Sequence, residues 1–122
     1  MSDLSRILVA EDEILLLLSL VDGLAESGFE AVPVTSARAA VSLLDTGIDA
    51  LVTDIELPGN YSGLQLARLT ARLRPGLPIV VVSGGVRPTA EDLPPGAIFL
   101  PKPYRVEDIV SALRHQRVAH AA

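Results

Sequence analysis

The sequence predicts an α/β fold in which helices cover both faces of a parallel five-stranded sheet. Short apolar runs alternate along the chain with segments that repeat apolar residues at helical spacing, and such alternation builds parallel sheets. Gly, Pro or Ser marks most of the junctions, as is typical of turns and helix ends. The 122 residues suit one domain over residues 1–122, with an ordered core over about 5–117 and a loose tail over 118–122.

The first half of the chain contains three predicted strands and two predicted helices. In order, these are a strand over 7–10, a helix over 14–25, a strand over 31–34, a helix over 36–44 and a strand over 50–53. Ser36 is a suitable N-cap, because its hydroxyl can accept a backbone N–H bond. Gly28 and Gly47 are suitable helix ends.

The second half of the chain continues the alternation of strands and helices, but its fourth helix is only weakly indicated. A helix over 63–73 precedes strands over 79–82 and 97–100, and the last helix repeats apolar residues at Val106, Ile109, Val110 and Leu113. The segment between these two strands, "GGVRPTAEDLPPG", contains three prolines and three glycines. A fourth helix there extends at most from about Thr89 to Leu93, because Pro94 and Pro95 stop it.

Proline also indicates the order of the strands. Pro33 lies within the second strand, and a proline in a sheet belongs on an edge. Pro101 closes the fifth strand, whereas the first, third and fourth strands contain no proline. The predicted fold is therefore a flavodoxin-like doubly wound (βα)5 sandwich with strand order 2-1-3-4-5. In such sheets ligands bind beyond the carboxyl ends of the strands, near the switch between strands one and three.

Polar side chains stand at these carboxyl ends. They are Glu11 and Asp12 after the first strand, Asp54 after the third, Ser83 after the fourth and Lys102 after the fifth. Neighbouring carboxylates repel one another unless a cation or a proton intervenes, and Mg²⁺ suits one or two carboxylates with water and phosphate oxygens. An aspartate held beside such a metal can accept a phosphoryl group. The sequence therefore predicts Asp54 as a nucleophile.

Composition excludes several other classes of function. Fifteen acidic residues against ten basic ones give a net charge of −5, which disfavours a nucleic-acid surface. The chain has no cysteine for disulfides or thiolate chemistry. Its longest apolar run, 14–18, is too short for membrane insertion, and no secretory signal is apparent. A cytoplasmic location is expected.

Four segments, "ILVAEDE", "LVTDIELPG", "IVVVSGG" and "FLPKPY", resemble the receiver domain of bacterial two-component response regulators, in particular single-domain, chemotaxis-receiver-like forms. The resemblance covers nearly the whole chain, so no effector domain is expected. It implies a histidine kinase or phosphotransfer protein that donates a phosphoryl group to Asp54. It also implies a switch for an unknown downstream protein, or a phosphate shuttle, without enzymatic activity beyond self-phosphorylation and self-dephosphorylation.

The resemblance further implies a role for each site residue. Mg²⁺ is bound by Asp12, Asp54, Glu11 through water and the backbone carbonyl of Glu56, whereas Ser83 and Lys102 contact the phosphoryl oxygens. The Lys102–Pro103 peptide bond is expected to be cis. Phe99 occupies the position of a switch aromatic residue, which is often Tyr, while Ser83 is the switch hydroxyl.

Two alternatives remain open at this point. A phosphatase with an aspartyl nucleophile also uses Asp, Ser or Thr, Lys and Mg²⁺, although nothing in the chain resembles a substrate-selecting cap. A pseudo-receiver would bind partners without phosphorylation. Turnover of a phosphate ester distinguishes the first alternative, and titration with a phosphate analogue with and without Mg²⁺ distinguishes the second.

Two side chains on the first helix are predicted to contact the kinase. Leu16 and Leu20 lie off or at the edge of the apolar face that Leu17, Val21 and Leu24 form, and they are i, i+4 neighbours. We expect them to form an exposed strip one turn after Asp12. Separately, the carboxylate of Glu56 is expected to lean over the site and to slow labelling by small anionic donors.

Overall fold

One parallel sheet forms the centre of the molecule in a computed structural model that describes residues 5–121. Its strands are β1 (Arg6–Ala10), β2 (Glu30–Val34), β3 (Ala50–Asp54), β4 (Ile79–Ser83) and β5 (Ile98–Pro101). They are hydrogen-bonded in the order β2-β1-β3-β4-β5, which confirms the predicted order. Every strand end lies within one residue of its predicted position.

Four helices connect and follow the strands, namely α1 (Ile14–Glu26), α2 (Ala37–Val41), α3 (Gly63–Leu73) and α4 (Val106–Ala121). The hydroxyl of Ser36 accepts the Ala39 N–H at 3.1 Å, so Ser36 caps α2 as predicted. However, α2 is shorter than the predicted 36–44. After Val41 the chain continues in turns whose hydrogen bonds join residues three positions apart, such as Leu44 N–H to Val41 O. The α4 backbone continues into the predicted tail, where side chains from residue 117 on lie outside the described part.

The connection between β4 and β5 contains a single 3₁₀ turn, Ala90–Asp92, in place of a full helix. The side chain of Asp92 accepts the Thr89 N–H at 2.8 Å, and Pro94 and Pro95 follow the turn. The predicted shortening of the fourth helix is therefore confirmed. None of the helices within residues 5–121 is long and apolar enough to cross a membrane.

Apolar side chains fill both faces of the sheet. On one face α1 and α4 pack on β1 and β3 through residues that include Leu24, Ile109 and Leu113. On the other face α2 and α3 pack through residues that include Ala40 and Leu66. β1, β3 and β4 are almost entirely buried, whereas the edge strands β2 and β5 are only partly buried. Central strands buried on both faces read as continuous apolar runs, which is why they were evident in the sequence.

The orientation of α1 differs from the prediction. Leu20 is only 2% exposed and belongs to the core, so it cannot contact a kinase, and Leu16 is half-buried. Ile14, Leu15 and Leu18 are the exposed leucine and isoleucine residues of α1. The predicted strip was wrong because α4 covers that side of α1: a Cβ added to Gly23 would lie 2.6 Å from Val106 Cγ2.

This orientation predicts unequal effects of two similar substitutions in α1. Leu20→Ala should lower the free energy of unfolding by about 2–4 kcal/mol, because it leaves a cavity among packed side chains. Leu18→Ala, at a residue that is 55% exposed, should change it by less than about 0.5 kcal/mol. Urea denaturation of the two variants measures the difference. Equal losses of stability would contradict the observed face of α1.

Candidate functional site

The register of the sheet brings the predicted site residues together at its carboxyl edge. Ala10 pairs with Thr53, so Glu11, which follows β1, and Asp54, which ends β3, lie at the same level. Ser83 pairs with Pro101, so Lys102 begins directly beside the end of β4. The Lys102 N–H donates to the Ser83 carbonyl at 2.9 Å, and the Lys102–Pro103 peptide bond is cis.

Lys102 lies between two buried carboxylates. Its Nζ is 2.8 Å from Asp54 Oδ2 and 2.9 Å from Glu11 Oε1. Burial lowers the pKa of Lys102, but the hydrogen bonds to Asp54 and Glu11 outweigh it, and the net effect raises the pKa. Lys102 is therefore a fixed positive charge at the edge of the sheet.

Asp54 is a buried carboxylate whose charge is costly in this site. It is 3% exposed, and its Oδ1 accepts the Glu56 N–H at 3.3 Å. Burial raises the pKa of Asp54 to about 6, with a further contribution from the negative charge of Glu11, and the hydrogen bond from Lys102 opposes this rise. One lysine thus only partly compensates two neighbouring carboxylates.

The third carboxylate of the site completes a group of oxygens that suits a hard cation. One oxygen each from Glu11, Asp12 and Asp54 lies within 4.8 Å of the others, with Asp12 exposed and the other two buried. Glu11 Oε2 accepts the Glu13 N–H at 3.0 Å, whereas the buried Glu11 Oε1 has no hydrogen-bond donor among the described residues beyond its ion-pair contact with Lys102. Mg²⁺ is usually bound by one or two carboxylates and keeps several waters, so this group of oxygens suits it.

Ser83 and Glu56 interact directly, which the sequence did not predict. The Ser83 hydroxyl donates to Glu56 Oε2 at 2.6 Å and accepts the Val86 N–H at 2.8 Å. Ser83 is 2% exposed, whereas Glu56 is exposed. The Glu56 side chain therefore extends from the end of β3 to the end of β4.

Two aromatic residues lie near the site. Phe99 on β5 is half-buried and packs on the core that α2 and α3 cover. Tyr104, which sequence reasoning passed over, is half-buried two residues after Lys102 and lines a cavity of about 290 Å³ with Leu16 and Lys102. Burial raises the pKa of Tyr104 to about 12, and the negative charge of Glu11 adds to the rise.

Gly63 is a second residue that sequence reasoning missed. Its N–H donates to the Ile55 carbonyl at 2.9 Å, which holds the start of α3 against the end of β3. A Cβ at this position would lie 1.7 Å from the Asp54 carbonyl oxygen. The glycine therefore allows α3 to begin directly behind Asp54. The only signal in the sequence is a glycine that follows the helix cap Ser62.

Comparisons with known proteins agree with this architecture. A family model described as the response regulator receiver domain matches residues 7–114. The response regulator receiver protein CpdR of Brucella abortus is 29% identical over 121 residues, which cover 95% of this chain and 99% of that protein. A probable transcriptional regulatory protein of Picosynechococcus is 31% identical over 93% of this chain but only 49% of its own length.

Solved structures give the same result. A response regulator receiver protein from Sinorhizobium medicae superimposes with a TM-score of 0.89 at 33% identity, over 97% of this chain and 98% of that one. A CheY-like receiver domain protein from Methanospirillum hungatei shares the fold, with a TM-score of 0.82 at 22% identity over 98% of each chain. Since the family model spans most of its length, the chain belongs to the response regulator receiver domain family.

Proposed function

We propose that this receiver domain accepts a phosphoryl group on Asp54 from a phosphohistidine of a histidine kinase or phosphotransfer protein. The carboxylate oxygen of Asp54 attacks phosphorus, the bond from phosphorus to the histidine nitrogen breaks, and an acyl phosphate forms. The observation that carries the proposal is the position of Asp54. It is a buried carboxylate at a strand end, 2.8 Å from Lys102 and grouped with the carboxylates of Glu11 and Asp12.

Mg²⁺ fits the three carboxylates and would supply positive charge to the transferred phosphoryl oxygens. Asp12, Asp54 and the backbone carbonyl of Glu56 would hold it, and Glu11 would act through water. When the carboxylate of Asp54 becomes an acyl phosphate, Lys102 loses the carboxylate charge of Asp54 as a partner. Its ammonium group keeps its contact with Glu11 and would orient toward a phosphoryl oxygen, which brings new negative charge to the same place.

The phosphorylated domain would act in the cytoplasm, either as a switch for a downstream protein or as a shuttle of the phosphoryl group. Ser83 and Phe99 would form the switch. Of the predicted docking pair, only the half-buried Leu16 remains available to a kinase, beside the exposed Leu15 and Leu18 of α1.

Labelling by acetyl phosphate tests the proposal. We expect wild-type protein to gain one phosphoryl group on Asp54 in the presence of Mg²⁺ and little with a chelator, as read by intact mass and peptide mapping. Asp12→Ala should raise the Mg²⁺ concentration needed for half-maximal labelling at least severalfold, because a carboxylate ligand is lost.

Other outcomes would contradict this function. A protein that binds phosphate analogues but never becomes labelled would be a pseudo-receiver. Sustained turnover of a phosphate ester would identify a phosphatase. Labelling that does not depend on Mg²⁺ would exclude the proposed metal site.

A further inference from the structure

We propose that Glu56 and Ser83 form a latch that must open before Ser83 can donate a hydrogen bond to a phosphoryl group on Asp54. The latch is the hydrogen bond from Ser83 Oγ to Glu56 Oε2, at 2.6 Å. The proposal rests on the proposed function and adds a regulatory residue to it. Glu56 acts here as a positioning residue, through Ser83, rather than as a ligand of the reacting atoms.

The argument starts from the single proton of a hydroxyl group. Ser83 can donate only one hydrogen bond, and in this structure it donates to a carboxylate, which only accepts. One of its two acceptor lone pairs takes the Val86 N–H at 2.8 Å. Ser83 is 2% exposed, so water has little access to the hydroxyl. The hydroxyl therefore cannot donate to a phosphoryl oxygen until it leaves Glu56.

The charge of the incoming group acts on the same hydrogen bond. Phosphoryl oxygens beside Asp54 would compete with the Glu56 carboxylate for the Ser83 proton and would repel that carboxylate. Glu56 is exposed, so its side chain can swing into solvent. When the Ser83 hydroxyl turns toward the phosphoryl group, its hydrogen bond from the Val86 N–H changes too. The change at Ser83 therefore alters a contact of the loop after β4.

The latch makes a prediction that charge repulsion alone does not make. If Glu56 only repelled anionic donors, Glu56→Gln and Glu56→Ala would have the same effect, and salt would abolish it. Gln keeps an oxygen that accepts from Ser83, whereas Ala removes the acceptor. The latch therefore predicts that Glu56→Ala exceeds Glu56→Gln, that the excess persists at high salt, and that it requires Ser83.

The first arm of the test uses the protein without donor or metal. Wild type, Glu56→Ala, Ser83→Ala and the double variant are unfolded in urea. We expect the two substitutions to be non-additive by about tenfold in the unfolding equilibrium constant, equivalent to about 1.4 kcal/mol. Additive effects would overturn the latch, whatever the result of labelling.

The second arm measures labelling by acetyl phosphate with saturating Mg²⁺ at high salt. We expect Glu56→Ala to be labelled about ten times faster than Glu56→Gln, because Gln keeps an oxygen that accepts from Ser83. In a Ser83→Ala background, Glu56→Ala should give no further gain. A gain that survives without Ser83, or an equal gain with Gln, would overturn the proposal.

The two arms separate the latch from the proposed function. If no variant becomes labelled, the proposed function fails, and the regulatory role of Glu56 fails with it, even when the first arm shows coupling. If wild type is labelled on Asp54 but the substitutions are additive in the first arm, the proposed function stands and only the latch is wrong.

Discussion

Asp54→Asn is expected to abolish labelling by acetyl phosphate while stabilising the metal-free protein at neutral pH. Loss of labelling follows because the amide that replaces the carboxylate is not a nucleophile for phosphorus. The gain in stability follows because the amide has no charge to bury. Replacing a residue that is needed only for the fold would lower both the labelling and the stability of the protein. Opposite signs of the two effects would therefore identify Asp54 as a functional group.

The sign and the pH range of the second effect come from the pKa of Asp54. Its ordinary value of 3.8 is raised to about 6, first by burial, against the opposing hydrogen bond from Lys102. Between these values the folded protein binds more protons than the unfolded chain, so stability falls as pH rises. Above pH 6 the buried charge of Asp54 lowers the free energy of unfolding by its full amount, which is on the order of 2–3 kcal/mol. Mg²⁺ would offset this cost.

Urea denaturation from pH 4 to 8 in the presence of a chelator measures the effect. The stability difference between Asp54→Asn and wild type should grow over the window in which Asp54 ionises and then stay constant. Asp45→Asn is a matched control for labelling, because Asp45 is exposed and is not one of the carboxylates of the site. If the Asp54→Asn variant were labelled as well as wild type, Asp54 would not be the acceptor.

Gly63→Ala is expected to destabilise the fold by about 3 kcal/mol or more. The added Cβ would lie 1.7 Å from the carbonyl oxygen and 2.6 Å from the carbonyl carbon of Asp54, and 3.0 Å from the Ile55 Cα. All three atoms belong to the backbone, so no side-chain rotation relieves the overlap. The end of β3 or the start of α3 must move, and Asp54 moves with it.

A second glycine beside the site provides the control. A Cβ at Gly84 would meet only the Lys102 side chain, at 3.7 Å, which is an ordinary contact. Gly84→Ala should therefore keep wild-type stability within about 0.5 kcal/mol, although it too adjoins the site. Thermal and urea unfolding compare the two variants. Wild-type stability of Gly63→Ala would contradict the close approach of α3 to β3.

Features that local chemistry dictates could be predicted from the sequence. The apolar runs over β1, β3 and β4 have one reading because both faces of these strands are buried. Pro33 indicated an edge strand, since a proline cannot donate to a neighbouring strand. The polar residues that follow these strands then had to meet at one edge, because all strands of a parallel sheet end on the same side.

Features that depend on approach in three dimensions were decided only by the tertiary structure. The segment "ILLLLSLV" in α1 presents apolar residues in nearly every direction, so periodicity could not choose its buried face, and packing against Val106 of α4 chose it instead. The hydrogen bond between Ser83 and Glu56 joins residues 27 positions apart on neighbouring strand ends. Residue 63 must be a glycine because the backbone of Asp54 lies directly against it. Sequence spacing describes neighbours along one element, whereas these contacts depend on the distance between elements.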